Sequence, residues 1–352
     1  MKQVIITSVF CLFAAISCFA QFSGGNGTQT NPYLISSKAD MQQLAVNVNR
    51  GQAYAGVYFR LTRNLTEAAD TLTLVVGNSY ARYFSGIFDG NGYKIAVNKT
   101  GIFGGIQGAT IKNLEVSGRI TFFSHYTPST SSPYYTGGIC GHAISSSIIN
   151  CRNNAKIETS VPYSTSSVSL YPNHYTGGIC GHATNSSIIS NCYNTNLVSG
   201  ATNNVSLSAP SIYIGSSYSG GICGIANSQT TINNCYNTGY VKASSQRLGF
   251  EGVASNAGGI CGDCYGATIQ NCFTADCKIT NGPDVAREQI GRIGNREGFG
   301  FYYSNCYASE NTILNSAPIS SSNADSKDGK DATTSNLQNQ AWLSSNLSWD
   351  FD

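Results

Sequence analysis

Short apolar runs, separated by glycine, asparagine and serine, recur along most of the chain. Runs such as Ser187-Ile188-Ile189 and Gly239-Tyr240-Val241 have the length and residue types of short β-strands. Apolar residues fall at helical spacing in only two places, residues 38–49, which follow Ser36-Ser37, and residues 333–347. The pattern therefore predicts many short strands with one helical segment at each end.

The strands belong to a repeat, because the same two motifs return about every 40 residues. Gly-Gly-Ile-Cys-Gly occupies residues 137–141, 177–181, 220–224 and 258–262, and Asn-Cys follows at residues 150–151, 191–192, 234–235 and 271–272. Degenerate copies flank these four, at residues 101–114 and 291–306. Strands that return to the same residue in each period predict a parallel β-helix with like residues stacked about 4.8 Å apart. Propeller blades are the weaker alternative.

Stacking gives each repeated position a structural meaning. One position is isoleucine in five copies and is predicted to face the core; these residues are Ile111, Ile148, Ile189, Ile232 and Ile269. Another is asparagine in six copies and predicts a ladder of side-chain amides at a bend; these residues are Asn113, Asn150, Asn191, Asn234, Asn271 and Asn305. The paired glycines predict either a positive φ or a close backbone approach.

Eleven of the thirteen cysteines follow the first twenty residues. In the flanking copies Phe103, Ile293 and Leu114 replace the repeated cysteines, so these positions are interpreted as apolar interior positions with buried, mostly unpaired thiols. Disulfides within each coil or between adjacent coils remain an alternative. Cys264 and Cys277 lie outside both columns and are a candidate pair.

The first twenty residues read as an export signal, with Met1-Lys2 before an apolar run and Cys18-Phe19-Ala20 as the cleavage site. Acylation of Cys18 is a weaker alternative, because Ala15 stands where a bulky aliphatic residue is needed. No later run is apolar over the eighteen residues that a membrane span requires. With 11% charged residues and a net charge of +2, the chain shows neither a nucleic-acid footprint nor a basic membrane patch.

Long insertions leave successive repeats at the same stage, at residues 121–135, 159–175, 199–218 and 243–257, so we expect them on one side of the rod. They are rich in hydroxyl and amide groups and in tyrosine, which provides rigid amphipathic contact surface. The candidate binding residues are Tyr126, Tyr135, Tyr163, Tyr171, Tyr175, Tyr213 and Tyr218, and Tyr134 accompanies them. The alternative is that many of these rings only cover the insertions.

The sequence supports a catalytic site or a metal site less well than it supports a binding surface. Polysaccharide-cleaving β-helices need clustered acids, whereas Asp89 lies in a turn and Asp263, Asp276 and Asp284 fall within one repeat. His142 and His182 occupy equal positions in adjacent coils and could share a metal ion, with His125 and His174 as possible additions. Imidazoles on an exposed turn are the favoured interpretation, and no metal or cofactor is expected.

Several motifs within and before the repeats resemble those of bacterial surface proteins that carry GLUG repeats. They are Asn31-Pro32-Tyr33-Leu34-Ile35, Tyr58-Phe59-Arg60-Leu61-Thr62 with Asn64-Leu65, the segment 84–93 that contains Phe88-Asp89-Gly90-Asn91-Gly92, and Asn234-Cys235-Tyr236-Asn237-Thr238-Gly239. The resemblance covers about residues 24 to 310. It implies a right-handed parallel β-helix on secreted or surface-attached proteins, including adhesins and the non-catalytic region of some immunoglobulin A proteases, and it implies no catalytic residues.

These observations give one set of expectations. The fold is all-β, a right-handed parallel β-helix (solenoid) with an N-terminal capping helix and a short C-terminal helix. We expect a signal peptide at 1–20, a β-helix of GLUG-type repeats with its cap at 21–310, a polar linker at 311–332 and a helical segment at 333–352. The expected function is that of a monomeric, non-enzymatic, adhesin-like recognition protein for glycans or host matrix proteins. The alternatives are a polysaccharide-degrading lyase or hydrolase and a purely structural stalk.

Overall fold

The chain forms stacked coils built almost entirely from short parallel strands. The computed structural model describes residues 22–68, 71–77, 81–121, 133–161, 173–202, 215–245, 254–282 and 289–351. The predicted signal peptide, residues 1–20, lies outside these ranges. The strands align in four sheets, which we name A to D. Strands and helices are numbered separately in chain order.

Sheet A runs the length of the rod with nine strands. Its strands are β1 (Tyr33–Ile35), β2 (Tyr58–Leu61), β3 (Ile87–Asp89), β6 (Thr110–Lys112), β10 (Ser147–Ile149), β14 (Ile188–Ser190), β19 (Thr231–Asn233), β24 (Thr268–Gln270) and β28 (Tyr302–Ser304). The predicted isoleucine column lies in this sheet, where Ile111, Ile148, Ile189, Ile232 and Ile269 pair in register and are fully buried. The assignment of this column to the core is confirmed.

Sheet B follows the asparagine bend of each coil. Its strands are β4 (Lys94–Lys99), β7 (Glu115–Ile120), β11 (Arg152–Val161), β15 (Tyr193–Asn194), β16 (Val198–Thr202), β20 (Tyr236–Asn237), β21 (Val241–Ser245), β25 (Phe273–Thr274), β26 (Lys278–Thr280), β29 (Tyr307–Ser309), β30 (Ile313–Leu314), β31 (Ala317–Pro318) and β32 (Lys330–Ala332). Among the described strands only β30 and β31 pair antiparallel. The single strand β11 of one coil becomes two shorter strands in each of the next coils, so sheet B has a proximal and a distal part.

Sheets C and D meet at the Gly-Gly pair. Sheet C contains β5 (Phe103–Gln107), β9 (Cys140–Ile144), β13 (Cys180–Thr184), β18 (Cys223–Ala226) and β23 (Cys261–Asp263), and sheet D contains β8 (Tyr134–Gly137), β12 (His174–Gly177), β17 (Ser217–Gly220), β22 (Ser255–Gly258) and β27 (Ile290–Gly291). A Cβ atom on Gly137 would overlap the Cys140 carbonyl oxygen, and one on Gly138 would overlap the Gly178 carbonyl oxygen. Close backbone approach, rather than positive φ, therefore accounts for the glycine pair.

Each coil packs around two apolar regions. The main core lies between sheets A and C and the proximal part of sheet B, and it holds the isoleucine column with both cysteine columns. A smaller core joins distal sheet B to sheet D; it contains Val241, Ala243, Ala257, Cys277, Ile279, Ile290 and Leu314. Sheet D therefore lies between distal sheet B and the outer face of sheet C.

Two asparagine ladders run along the bends. All six residues of the predicted ladder adopt a left-handed backbone with φ of 52–54°, and the Asn150 amide donates to the Asn113 side chain at 2.8 Å. The second ladder, which the sequence analysis missed, is buried: Asn153 donates to Asn194 at 2.6 Å, and Asn194 donates to Asn237 at 2.7 Å. Both ladders stabilise the register of neighbouring coils because each amide bonds across one strand spacing.

Helices lie at both ends, as the sequence predicts. Helix α1 (Lys38–Asn49) begins at a capping box, in which the Asp40 amide donates to the Ser37 hydroxyl and the Asp40 carboxylate accepts from the Ser37 amide. Its apolar side joins the main core through Met41, Leu44, Ala45 and Val48. The second predicted helix is broken at Gln338-Asn339 into α2 (Thr334–Leu337) and α3 (Gln340–Leu347).

Residues 311–332, which we expected to form a polar linker, carry β30, β31 and β32 and pack on the last coils. The guanidinium of Arg292 is fully buried, lies 2.7 Å from the Asp331 carboxylate and donates to the carbonyl oxygens of Asp328, Ile319 and Gly329. A buried cation needs such a complete set of acceptors. The segment is therefore part of the packed rod.

All eleven cysteines that follow residue 20 are free and buried. The prediction of buried, mostly unpaired thiols is confirmed, and the candidate pairing of Cys264 with Cys277 is wrong. The Cys264 thiol instead lies 3.0 Å from the Tyr303 hydroxyl. Burial raises the pKa of Cys277 to about 12, which keeps this thiol protonated and unreactive.

Two neighbouring isoleucines provide a matched test of the fold. Ile189→Ala removes a fully buried side chain and should lower the free energy of unfolding by about 3 kcal/mol. Ile188→Ala removes a side chain that is 43% exposed and should change it by less than about 0.5 kcal/mol. Urea denaturation followed by circular dichroism measures both values. Equal losses would contradict the assignment of Ile189 to the core.

The state of the thiols can be counted by mass spectrometry. In residues 21–352 purified without reductant, we expect iodoacetamide to modify few thiols in the native protein and all eleven in urea, because all are free and buried. Labelling of fewer than eleven in urea, restored by prior reduction, would show that disulfides are present.

Candidate functional site

Three of the predicted binding tyrosines come together at the roots of the insertions. Tyr135, Tyr175 and Tyr218 occupy the same register position in β8, β12 and β17 of sheet D. The Tyr135 ring contacts His142 of β9 and His182 of β13, and the Tyr175 ring contacts His182. Tyr218 continues the row through its contact with Tyr175. We call these five residues the tyrosine–histidine column.

The rings of the column are packed at van der Waals distance. The ring centroids of Tyr135 and Tyr175 are 5.5 Å apart, and those of Tyr175 and Tyr218 are 5.3 Å apart. Tyr135 stacks on His142 at 4.7 Å, and the two histidine rings stack on each other at 4.8 Å with planes 4° apart. Repetition of one residue type at one position has thus produced a continuous aromatic strip along the rod axis.

The column is partly buried, which limits the surface that it offers. Tyr135 is 9% exposed, whereas Tyr175 and Tyr218 are half-buried. Burial raises the pKa of Tyr175 to about 12, and burial together with the nearby Asp263 carboxylate raises the pKa of Tyr218. Both phenols are therefore protonated at neutral pH and can donate as well as accept hydrogen bonds.

The imidazole of His182 is neutral at physiological pH, and it lies parallel to the ring of His142. Burial lowers the pKa of His182, and its Nε2 atom lies 3.4 Å from the Asn227 side-chain oxygen. The register continues to Ile225 and Asp263 in the next coils. In the part of the chain that the structure describes, no group of three or more His, Cys, Asp or Glu side chains is placed to hold a metal ion.

Tyr126, Tyr163, Tyr171 and Tyr213 lie outside the described residues. The strands that border the insertions are described, however. The insertions leave from distal sheet B and return into sheet D in successive coils, for example from β16 to β17.

A buried polar layer lies between sheets B and D beneath these roots. His174 is fully buried, and its Nε2 atom lies 3.0 Å from the Thr159 hydroxyl and 3.1 Å from the Thr176 hydroxyl. Burial lowers the pKa of His174 to about 3. The imidazole is therefore neutral in the native protein, and it holds the insertion-bearing strands β11 and β12 together.

The acids considered for polysaccharide cleavage do not gather in one groove. Asp89 lies between Arg60 at 3.9 Å and Lys112 at 3.7 Å. Asp263 ends β23 in sheet C, and burial raises its pKa, whereas Asp276 follows β25 in sheet B. Asp284 lies outside the described residues. Asp263 and Asp276 therefore lie beside different sheets.

A groove of about 480 Å³ near the C-terminal helices was missed by the sequence analysis. It lies between sheet B and helices α2 and α3, and its aromatic walls include Tyr236, Phe273 and Trp349. Aromatic residues recur directly after Asn-Cys at Tyr193, Tyr236 and Phe273, and this periodic signal could have indicated an aromatic stripe. Its closure by residues 337–351 depends on tertiary packing that no local pattern records.

Comparison with known proteins supports the repeat assignment. The profile of the GLUG motif matches residues 132–158 and 172–199, which contain the first two complete Gly-Gly-Ile-Cys-Gly and Asn-Cys pairs. The chain therefore contains GLUG motifs in these two repeats. No curated protein matches the sequence.

Two solved structures are similar to this chain to different degrees. A Bacteroides ovatus protein provisionally named as an immunoglobulin A1 protease matches with a TM-score of 0.55 and 20% identity, over 92% of this chain and 90% of that one. A structure named IgA1 protease matches with a TM-score of 0.40 and 16% identity, over 79% of this chain and 21% of that one. At 20% identity, the similarity to the Bacteroides ovatus structure shows a common fold and nothing more.

The prediction of a non-enzymatic protein is contradicted by this comparison. The Bacteroides ovatus structure, which matches over nine-tenths of both chains, carries the name of a protease. A fold of this kind is therefore not by itself evidence against enzymatic activity. The likeness assigns no catalytic residue to this chain.

None of the helices in the described ranges has the length and apolarity needed to cross a membrane.

The buried His174 gives the stability of the protein a testable pH dependence. Its native pKa of about 3 lies below the unfolded value of 6.5, so the unfolded chain binds the extra proton first. Its contribution to stability is therefore complete above pH 6.5 and falls by roughly 1 kcal/mol per pH unit as the pH drops towards 3. Urea titrations of the wild type and of His174→Gln at pH 7.5, 6, 5 and 4 measure this. We expect the stability advantage of the wild type to shrink with falling pH; a constant difference would contradict the neutral buried imidazole.

Proposed function

We propose that this GLUG-repeat chain is a secreted or cell-surface recognition protein whose insertion-bearing side binds a glycan or a host protein. The tyrosine–histidine column is the observation that carries the proposal. Tyr175 and Tyr218 present half-buried rings and protonated phenols at the roots of adjacent insertions, on a rigid sheet. Rigid aromatic residues of this kind, flanked by serine, threonine and asparagine, supply contact area with little loss of conformational entropy on binding.

The fixed register explains why such a surface suits a large partner. Because Tyr135, Tyr175 and Tyr218 repeat once per coil, the strip extends along the rod rather than closing into one small pocket. We further propose that the coils wind with a right hand. Consecutive parallel strands of one sheet, joined by a crossover, adopt this hand in nearly all known cases.

The name of the Bacteroides ovatus neighbour supplies one defined candidate partner, immunoglobulin A1. We propose to include it beside glycans and matrix proteins. Binding without cleavage supports recognition alone, whereas specific cleavage of immunoglobulin A1 would assign a protease activity to this rod.

The proposed function is tested with purified residues 21–352 on a glycan array and a panel of immunoglobulin A1 and extracellular-matrix proteins. We expect at least one ligand whose affinity falls roughly tenfold or more in Tyr175→Ala and in Tyr218→Ala, because interface tyrosines are frequent hot spots. Tyr302→Ala, which removes a ring that is 52% exposed on sheet A, is the matched control and should bind normally.

Circular dichroism and thermal unfolding must show that the variants remain folded. Absence of binding to every ligand, or equal loss in Tyr302→Ala, would contradict the proposal and favour a purely structural rod.

A further inference from the structure

The groove near the C-terminal helices has the composition of a ligand site, although no predicted function uses it. It has a volume of about 480 Å³ and lies between the aromatic stripe of sheet B and the segment that carries α2 and α3. This volume is within the range of small-molecule sites in proteins. Its floor is formed by sheet B, whereas the tyrosine–histidine column lies on sheets C and D.

One wall of the groove is aromatic and held in place. Tyr236 stacks on Phe273 with ring centroids 5.0 Å apart and planes 4° apart. Trp349 packs against both rings, at 5.2 Å from Phe273 and 5.9 Å from Tyr236, and its Nε1 atom donates to the Asn271 carbonyl oxygen at 2.9 Å. Phe351 extends this wall and is 44% exposed. The wall is therefore pre-organised, which lowers the entropic cost of binding.

The other walls carry hydrogen-bonding groups. Gln338 and Gln340 are exposed and line the groove, so their amides can each donate and accept. The Asp276 carboxylate accepts hydrogen bonds from the hydroxyls of Ser309 at 2.6 Å and Thr334 at 2.8 Å. Partial burial raises the pKa of Asp276, but these hydrogen bonds outweigh it and the pKa lies below its usual value. The carboxylate is ionised and anchors α2 beside the groove.

The combination of these walls selects the chemistry of the occupant. A purely apolar ligand would pack on the aromatic wall alone and would make no hydrogen bond to the Gln338 and Gln340 amides that line the groove. For a cationic ligand the groove offers one lining carboxylate, whose Oδ1 atom already accepts from Ser309 and Thr334. A sugar matches both kinds of wall, because its C–H face packs on aromatic rings and its hydroxyls exchange hydrogen bonds with amides and carboxylates.

We propose that this groove binds a neutral hexopyranose unit of an oligosaccharide. The site is separate from the tyrosine–histidine column, so each can fail in experiment without the other. The ring of Trp349 packs beside the sugar, and Gln338 and Gln340 fix its orientation.

The chain contains two tryptophans, Trp342 and Trp349, and only Trp349 lines the groove; Trp342 packs on Tyr307 at 5.0 Å. Purified residues 21–352 are titrated with maltotriose, cellotriose, mannotriose and N-acetyllactosamine while tryptophan emission is recorded. We expect at least one of these sugars to change the emission in a saturable way. The change should persist in Trp342→Phe and disappear in Trp349→Phe.

Calorimetry with the responding sugar gives the affinities of further variants. The double variant Gln338→Ala/Gln340→Ala removes exposed amides without removing packing, and we expect at least roughly tenfold weaker binding from the lost hydrogen bonds. Phe299→Ala is the matched control for Phe351→Ala, because Phe299 is 93% exposed and does not line the groove. Only Phe351→Ala should weaken binding. The variants Tyr175→Ala and Tyr218→Ala should bind the sugar normally.

Three outcomes would overturn the proposal. The first is that none of the four sugars is detected by emission or calorimetry. The second is that binding survives unchanged in the double glutamine variant. The third is saturable binding of tetramethylammonium or N-acetyl-arginine amide at Trp349 without sugar binding, which would identify a cation site instead.

Discussion

Parallel, in-register stacking of coils is the constraint on which the rest of this structure depends. Each coil places the same backbone groups one strand spacing from those of its neighbour, so residues at equivalent positions line up along the axis. The Gly-Gly turn makes this possible, since a Cβ atom on Gly138 would overlap the Gly178 carbonyl oxygen of the next coil. Once the register is fixed, isoleucines, thiols and asparagine amides form columns, and tyrosines meet at the roots of the insertions.

Much of the fold could be predicted because repetition converts local chemistry into long-range structure. Phe103, Leu114 and Ile293 in the flanking copies marked the cysteine positions as interior, and the buried free thiols agree with this. The register also placed Tyr135 beside Tyr175. The second ladder, from Asn153 to Asn237, was missed because its burial depends on how sheet D covers sheet B, and no local pattern records that packing.

The segments without a repeat were harder to predict. Residues 311–332 look like a linker by composition, yet the buried Arg292 ties them to the last coil through Asp331 and three carbonyl oxygens. The groove beside Trp349 arises from the same non-repetitive packing. Absence of enzymatic function was wrongly inferred from sparse acids, because the comparable fold of the Bacteroides ovatus structure carries a protease name. The fold and the surface composition limit which partners a protein can bind. Only a defined set of catalytic residues identifies an enzymatic activity.

The distance between equivalent positions in different coils tests the stacked register most directly. Lys112, Gln270 and Ser304 occupy one position of sheet A, and four register steps separate the first two. Spin labels at Lys112→Cys and Gln270→Cys, measured by double electron–electron resonance, should lie about 19 Å apart, and Lys112→Cys with Ser304→Cys about 24 Å, at about 4.8 Å per coil. The buried native thiols should stay unlabelled. The stacked β-helix would be contradicted if the distance from position 112 to position 304 did not exceed the distance from 112 to 270 by about one strand spacing.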